Sequence, residues 1–274
     1  MKDKSLEVDI EKIWGNLEIR KFEELDSTNN YVKKYLEKNK EREILVLADR
    51  QTKGRGRSGR NFYSKLKHGL YFSLGFSVED VAPEFLSLYT IAAASSMIQA
   101  IEKEWGLKIE VKWVNDLFYQ GKKVAGILAE ALTDQKTNKI SSLVIGIGIN
   151  LAGTFDGADP STQKSAGTLY QVLPEEFELK SLIIEFLRVF HSYHQNIESK
   201  SFLPVYEKHL LGIGQEIYYL RRDKKYKGRI EGINEQGQLL VKNKKNNIEA
   251  LIADEIHFSS EQFVQETRES NENL

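Results

Sequence analysis

From Ile140 to Asn150 the chain reads ISSLVIGIGIN, almost continuously apolar and too short for a buried helix bounded by caps. A run of this kind is a strand covered on both faces, which requires a sheet with packing layers on each side. The chain therefore reads as α/β. Gly146 and Gly148 interrupt the run. Glycine weakens a strand, so the pair marks either close approach of a ligand or tight packing of sheet against helix.

Other elements group around that strand. Leu17 to Phe22 alternates as a strand does, and Asp26-Ser27-Thr28-Asn29 supplies good N-cap residues ahead of Tyr31, Val32, Tyr35 and Leu36 at helical spacing. Ile44 to Ala48 and Gly69 to Phe76 read as strands. Pro83 opens a helix running through Trp105, with Leu86, Tyr89, Ala93, Met97 and Ile101 on its buried side and Gly106 as C-cap. Ile109 to Val114, Leu117 to Gln120 and Lys123 to Ala131 are strands, separated by a bend at Asn115-Asp116 and a turn at Gly121-Lys122. Leu151 to Gln163 is turn-rich, and Phe177 to Ile197 and Pro204 to Leu211 are helices. From Gly214 onward only short β-like runs remain, 216–220, 226–233, 238–241 and 248–252, with a turn at Asn234 to Gly237. That change of character divides the chain into a larger domain over 1–211, a small barrel over 212–260 and a flexible polar tail over 261–274.

Composition narrows the functions available. The 274 residues carry 39 Lys and Arg against 40 Asp and Glu, a net charge of −1, so no global field attracts nucleic acid or an anionic membrane. There is no cysteine, which removes disulfides, thiolate nucleophiles and cysteine-bound zinc. Met1-Lys2-Asp3-Lys4-Ser5 leads into polar sequence with no secretory h-region, and no long apolar run suggests a membrane span.

The sharpest motif is Gly54-Arg55-Gly56-Arg57-Ser58-Gly59-Arg60. Glycines let backbone N–H groups turn toward an anion, and arginines add forked donors for carboxylate and phosphate oxygens. The loop is thus suited to holding two anions that repel each other. It also spells G-x-G-x-x-G, but only ten residues lie between Gly59 and Leu70, too few for a crossover helix, so a nicotinamide cofactor is not expected. Gly54 and Gly59 have P-loop spacing without the Lys-Ser/Thr that must follow. A second motif joins Lys112-Trp113-Val114-Asn115-Asp116 to Lys123-Val124-Ala125-Gly126-Ile127-Leu128. Simple alternation places Lys123, Ala125 and Ile127 on one face, where Lys123 would bridge a carboxylate and an α-phosphate. Asp116 either binds magnesium or caps the bend. His191 and His194 lie three apart, but with no third ligand they read as surface histidines rather than a zinc site. The basic cluster Arg221, Arg222, Lys224, Lys225, Lys227 and Arg229 reads as a solvated hairpin tip.

Taken in order, Ser27-Thr28-Asn29, Gln51 with the Gly-Arg loop, Lys112 to Asp116, Lys123 to Leu128 and Gly146 to Asn150 resemble the bacterial biotin–protein ligases. The resemblance runs from about Leu25 to Leu151, with weaker similarity in the C-terminal segment. It implies a mixed-sheet catalytic domain of α+β type followed by an SH3-like barrel. It also implies a cytoplasmic enzyme that joins biotin to AMP using ATP and Mg2+, then transfers biotin to a lysine of a biotin carboxyl carrier protein. On the family pattern, Ser27, Thr28, Asn29 and Gln51 hold the ureido head of biotin. Arg55, Gly56 and Arg57 close over the ligand with Gly126 nearby, and Lys123 and Arg57 are catalytic. Arg60, Lys112, Asn115, Asp116 and Asn150 would meet the nucleotide, Asn150 near adenine. Rival expectations are a ligase for lipoate or a related acid, and a regulator that binds nucleotide or biotin without catalysis.

The chain departs from the family in two places. Phe62 stands where the family has tryptophan, keeping an aromatic plug without the indole donor, and Val114 replaces proline, which is expected to relax the backbone before Asp116. Only 26 residues precede Ser27, too few for the winged helix some members carry, so no operator binding is expected. A homodimer pairing through the Ile140–Asn150 strand edge is a further family-level expectation.

Overall fold

The computed structural model describes residues 4–78, 85–134, 136–175, 177–222, 224–253 and 256–257. In chain order its elements are α1 (Lys4–Trp14), β1 (Glu18–Leu25), α2 (Thr28–Lys38), β2 (Ile44–Gln51), β3 (His68–Ser77), α3 (Phe85–Trp105), β4 (Glu110–Lys112), β5 (Asp116–Tyr119), β6 (Lys122–Thr133) and β7 (Ile140–Ala152). They continue with α4 (Pro160–Ser165), α5 (Leu179–Gln195), α6 (Leu203–Lys208), β8 (Glu216–Arg221), β9 (Lys224–Ile233), β10 (Leu239–Asn243), β11 (Ile248–Leu251) and β12 (Ile256–His257). Pro83 and the tail over 261–274 lie outside the described residues.

Seven strands form one sheet in the order β1-β2-β3-β7-β6-β5-β4. Only β1 and β2 are parallel; the remaining pairs are antiparallel, so the sheet is mixed. β7 sits at its centre, hydrogen-bonded to β3 on one side and β6 on the other. Its Leu143, Ile145, Ile147 and Ile149 enter the main core with α3 and α5, while Val144 packs on the opposite face with Val32 and Leu36 of α2. Burial on both faces is what its composition required. The central position also overturns the expected dimer contact: both edges of β7 are paired within the chain, and the sheet ends at β1 and at β4, whose outer side is bonded at Val111 to His209 and Leu211.

The sheet is covered unequally, and this creates the site. α3 and α5 span one face. On the other, α2 covers Ile44, Val46 and Val144 at one end, and the stretch from Gly146 across β6 to β5 is left for a loop, residues 52–67, to close over. α3 is long and apolar enough to cross a membrane by length and composition alone, but it is the core helix here, from Leu88 to Ile101 buried against sheet and α5.

α1 was not evident from the sequence, although Leu6, Ile10, Ile13 and Trp14 share a helical stripe. Ile10 is fully buried, and the Trp14 ring stacks on Phe190 at 6.1 Å. His194 belongs to the same aromatic cluster, 4.6 Å from Phe76 between ring centroids, so it is not the surface histidine expected. Burial, with a smaller contribution from His191, pushes its imidazole down to about 4. The unfolded chain therefore takes up a proton below pH ~6.5 that the folded protein refuses until about pH 4. Stability should fall by about 2 kcal/mol between pH 7 and pH 5 from this group alone. A His194→Phe variant, followed by urea unfolding at both pH values, should lose that much less than the parent; equal losses would rule the histidine out.

The five remaining strands form an antiparallel sheet in the order β11-β10-β9-β8-β12, consistent with a small SH3-like barrel. Its β9–β10 turn is pressed onto the larger unit. Trp113 Nε1 donates to the Gly237 carbonyl at 2.9 Å. Gly237 has φ +72°, and a side chain there would run into Leu88 and Ile91 of α3, so both its backbone angle and its neighbours require glycine.

Candidate active site

The uncovered part of the sheet, the start of α2 and the 52–67 loop enclose a cleft of about 180 Å³. Ser27, Thr28, Asn29, Gln51, Arg55, Gly56, Arg57, Arg60, Lys112, Asn115, Asp116, Lys123 and Gly126, all expected from the sequence, line it together.

One end is polar and uncharged. Ser27 caps α2, its side chain accepting from Asn30 N–H at 3.4 Å. Gln51 Oε1 accepts the Thr28 backbone N–H at 2.8 Å, and Gln51 Nε2 donates to Ser64 Oγ at 3.1 Å. Ser73, fully buried on β3, stands 2.7 Å from Thr28 Oγ1 and 2.6 Å from Asn29 Oδ1. Ser64 and Ser73 were missed by sequence reasoning, since a lone serine in a strand carries no motif.

The glycines of the sheet shape the floor. A side chain at Gly146 would overlap the Asn29 amide, and one at Gly148 the Phe62 ring. Close approach therefore comes from the side chains that wall the cleft. Phe62 lies over both Gly126 and Gly148, the aromatic plug expected of this position.

The Gly-Arg loop is folded on itself. Gly56 N–H donates to Arg60 O at 2.7 Å, Phe62 N–H to Gly54 O at 3.0 Å and Arg60 N–H to Arg57 O at 3.1 Å. These three N–H groups are engaged within the loop, which leaves the arginine side chains and the loop's other N–H groups to meet an anion. Arg55 Nη1 donates to Asn30 Oδ1 at 3.0 Å and Arg57 Nη1 to Asn115 Oδ1 at 3.3 Å, tying the loop to α2 and to the β4–β5 turn.

The other end is cationic. Lys123 Nζ is 2.7 Å from Asp116 Oδ1. Its position corrects the alternation argument. Asp116 pairs with Gly126 and Leu117 with Ala125, but Phe118 pairs with Lys123, so the register slips at Val124. Val124, Ala125 and Ile127 join the core, while Lys123 returns to the face of Gly126, where a side chain would stand 3.5 Å from Lys123 Cε. A β-bulge, invisible in the residue pattern, thus delivers the lysine to the cleft. Lys112 is nearly enclosed, and burial pushes its ammonium down to about 8, with Asp116 opposing the shift and Lys123 and Arg60 adding to it. At the bend itself, Asp116 is held by its ion pair with Lys123.

Asn150 does not line the cleft. It lies buried farther along β7, donating to Gly167 O at 3.1 Å, and its Oδ1 has no hydrogen-bond partner among the described residues. His191 and His194 are far from any metal geometry; among the described residues no group of three His, Asp or Glu could hold an ion. Among the described residues, the cleft sets three arginines and two lysines against the single carboxylate of Asp116. It can seat a neutral polar group at one end and concentrated negative charge at the other.

Comparison with known proteins agrees with this division. The biotin/lipoate A/B protein ligase family matches residues 22–150, a span holding nearly all of the cleft. The bifunctional ligase/repressor BirA of Bacillus spizizenii is 30% identical over 220 residues, covering 79% of this chain and 67% of BirA. The biotin–[acetyl-CoA-carboxylase] ligase of Paracoccus denitrificans is 28% identical over 208 residues, covering 72% of this chain and 83% of its own. The biotin protein ligase of Aquifex aeolicus in complex with biotin and ATP aligns with a TM-score of 0.68 at 28% identity, over 88% of this chain and 98% of that one. With the sheet, the cleft and these relatives in agreement, the chain belongs to the biotin/lipoate A/B protein ligase family.

Proposed function

We propose that the protein is a ligase that activates biotin with ATP as biotinyl-5′-AMP and transfers the biotinyl group to a lysine of a biotin carboxyl carrier protein. The observation that carries this reading is the cleft's polarity: Ser27, Thr28, Asn29 and Gln51 at one end, Lys112, Lys123, Arg57 and Arg60 at the other. The first suits a neutral cyclic urea, the second a carboxylate meeting a triphosphate.

In the first step a biotin carboxylate oxygen attacks the α-phosphorus of ATP and pyrophosphate leaves. The two anions repel, so preplaced cations lower the barrier as charge concentrates. Lys123 is positioned for that role once the anions draw it from Asp116. In the second step a carrier lysine attacks the biotinyl carbonyl, AMP leaves and the amine gives up a proton. The mixed anhydride is hydrolysable, so the arginine loop must exclude water until the carrier arrives. Magnesium fits the donor set only alongside phosphate: among the described residues Asp116 is the one carboxylate lining the cleft, and it would share the ion with nucleotide oxygens. There the ion would neutralise phosphate charge. Use of ATP and of a carrier protein supports a cytoplasmic location.

Native mass spectrometry of the protein incubated with magnesium, ATP and biotin tests the reading. A bound species with the mass of biotinyl-AMP, absent when lipoate replaces biotin, is expected. Biotin bound with no adenylate formed would reject catalysis in favour of a sensor.

A further inference from the structure

A cyclic urea offers two N–H donors and one carbonyl acceptor, so a pocket that selects it must fix which of its own atoms accept. Resting on the biotin reading above, we propose that Glu130 is the positioning residue that sets the hydrogen-bond polarity of the head-group pocket.

Glu130 lies on β6 on the same face as Gly126 and Leu128. Its Oε2 accepts from Asn29 Nδ2 at 2.8 Å and its Oε1 from Lys33 Nζ at 2.9 Å, with Arg55 3.7 Å away. Burial pushes the carboxyl up, but the bonds from Lys33 and Asn29 outweigh it and hold it below the usual range, so the group is ionised and can only accept. The acceptor at 2.8 Å dominates the orientation of the buried Asn29 amide, over the Leu128 carbonyl at 3.5 Å: its NH₂ faces Glu130 and its Oδ1 faces Ser73. Ser73 has one proton. Asn29 Oδ1 cannot donate, so that proton goes to it, and Ser73 accepts in turn from the Thr28 hydroxyl at 2.7 Å, a shorter contact than the 3.2 Å from that hydroxyl to Gln51 Oε1. Every proton along Thr28, Ser73 and Asn29 then runs toward Glu130. Lone pairs on Thr28 Oγ1 and Asn29 Oδ1 remain to accept urea N–H groups. Ser27, whose oxygen accepts from Asn30 N–H, retains its proton for the urea carbonyl.

Glutamine at position 130 would have one oxygen for two donors, Lys33 and Asn29, and its NH₂ would face one of them. Glu130→Gln should weaken biotin binding by at least about 10-fold and raise KM for biotin equally, with kcat at saturating biotin within about twofold. Lys33→Met, which breaks the ion pair but spares the Asn29 bond, should bind as the parent does. In the Lys33→Met background, Glu130→Gln should recover most of the affinity, because the amide oxygen is free to face Asn29, whereas Glu130→Leu should not. Calorimetric titration with biotin reads all five proteins. Glu130→Gln binding like the parent, Lys33→Met binding as poorly as Glu130→Gln, or leucine recovering as well as glutamine would each overturn the assignment while leaving the biotin reading intact. A parent that takes up no biotin would overturn both.

Discussion

Lys123→Met should lower the rate of biotinyl-AMP formation by about 10³-fold while leaving biotin affinity within a few-fold of the parent. The lysine stands at the cationic end of the cleft, away from the polar pocket, so the head group should bind without it. The loss falls on the step in which carboxylate and phosphate meet, where a preplaced charge acts on the transition state more than on the ground state. Removing Lys123 strands the Asp116 carboxylate, only 23% accessible, with its 2.7 Å partner gone, and a stranded carboxylate would itself repel ATP. The double variant Lys123→Met with Asp116→Asn separates the two causes. If Lys123 acts on the reacting atoms, the double variant stays as slow as the single one. Recovery in the double variant, or equal losses in binding and chemistry in the single one, would show that Lys123 serves only to neutralise Asp116. Pyrophosphate release under single turnover, alongside calorimetric titration with biotin, measures both quantities.

What the sequence made legible follows the range of the forces involved. The apolar run of β7 announced its double burial because composition alone sets that requirement, and the glycine–arginine loop, singled out by its alternation, lines the cleft. Local signals at Ser27 and at Gly106 placed the start of α2 and the end of α3. Where tertiary contacts decide, the reading failed. Alternation put Lys123 on the side of Ala125 and Ile127; a bulge set by pairing with β5 reversed it. The helix α1 has only 11 residues, too few to announce itself, and it is stable through what Ile10 and Trp14 find in the core. His194 looked exposed because two histidines on an amphipathic helix usually are, yet Trp14 and Phe76 arrive from distant elements to bury it. Glu130 could have been found: counting by two along β6 from Gly126 lands on an acid on the same face of the sheet, behind Asn29, and an acid there needs partners.

Arg57→Ala should convert a ligase that holds its intermediate into one that sheds it. The loop keeps its shape without Arg57, because its internal bonds run between backbone groups of Gly54, Gly56, Arg60 and Phe62, and Arg55 still ties it to Asn30. What goes is the link to Asn115, itself strapped to β6 through Ile127 by bonds of 2.9 and 3.0 Å, together with one of the charges facing the phosphate. Asn115 is thus a fixed post, and Arg57 is the side chain that latches the loop to it. Losing a charge-assisted latch of this kind should speed release of biotinyl-AMP by about 10²-fold. Formation of the adenylate should suffer less, since Lys123, Lys112 and Arg60 remain. The measurement is the rate at which labelled biotinyl-AMP passes from the protein into solution in the absence of carrier. An unchanged release rate would place the latch elsewhere in the loop. Slow release joined to slow formation would make Arg57 a phosphate ligand of the first step only.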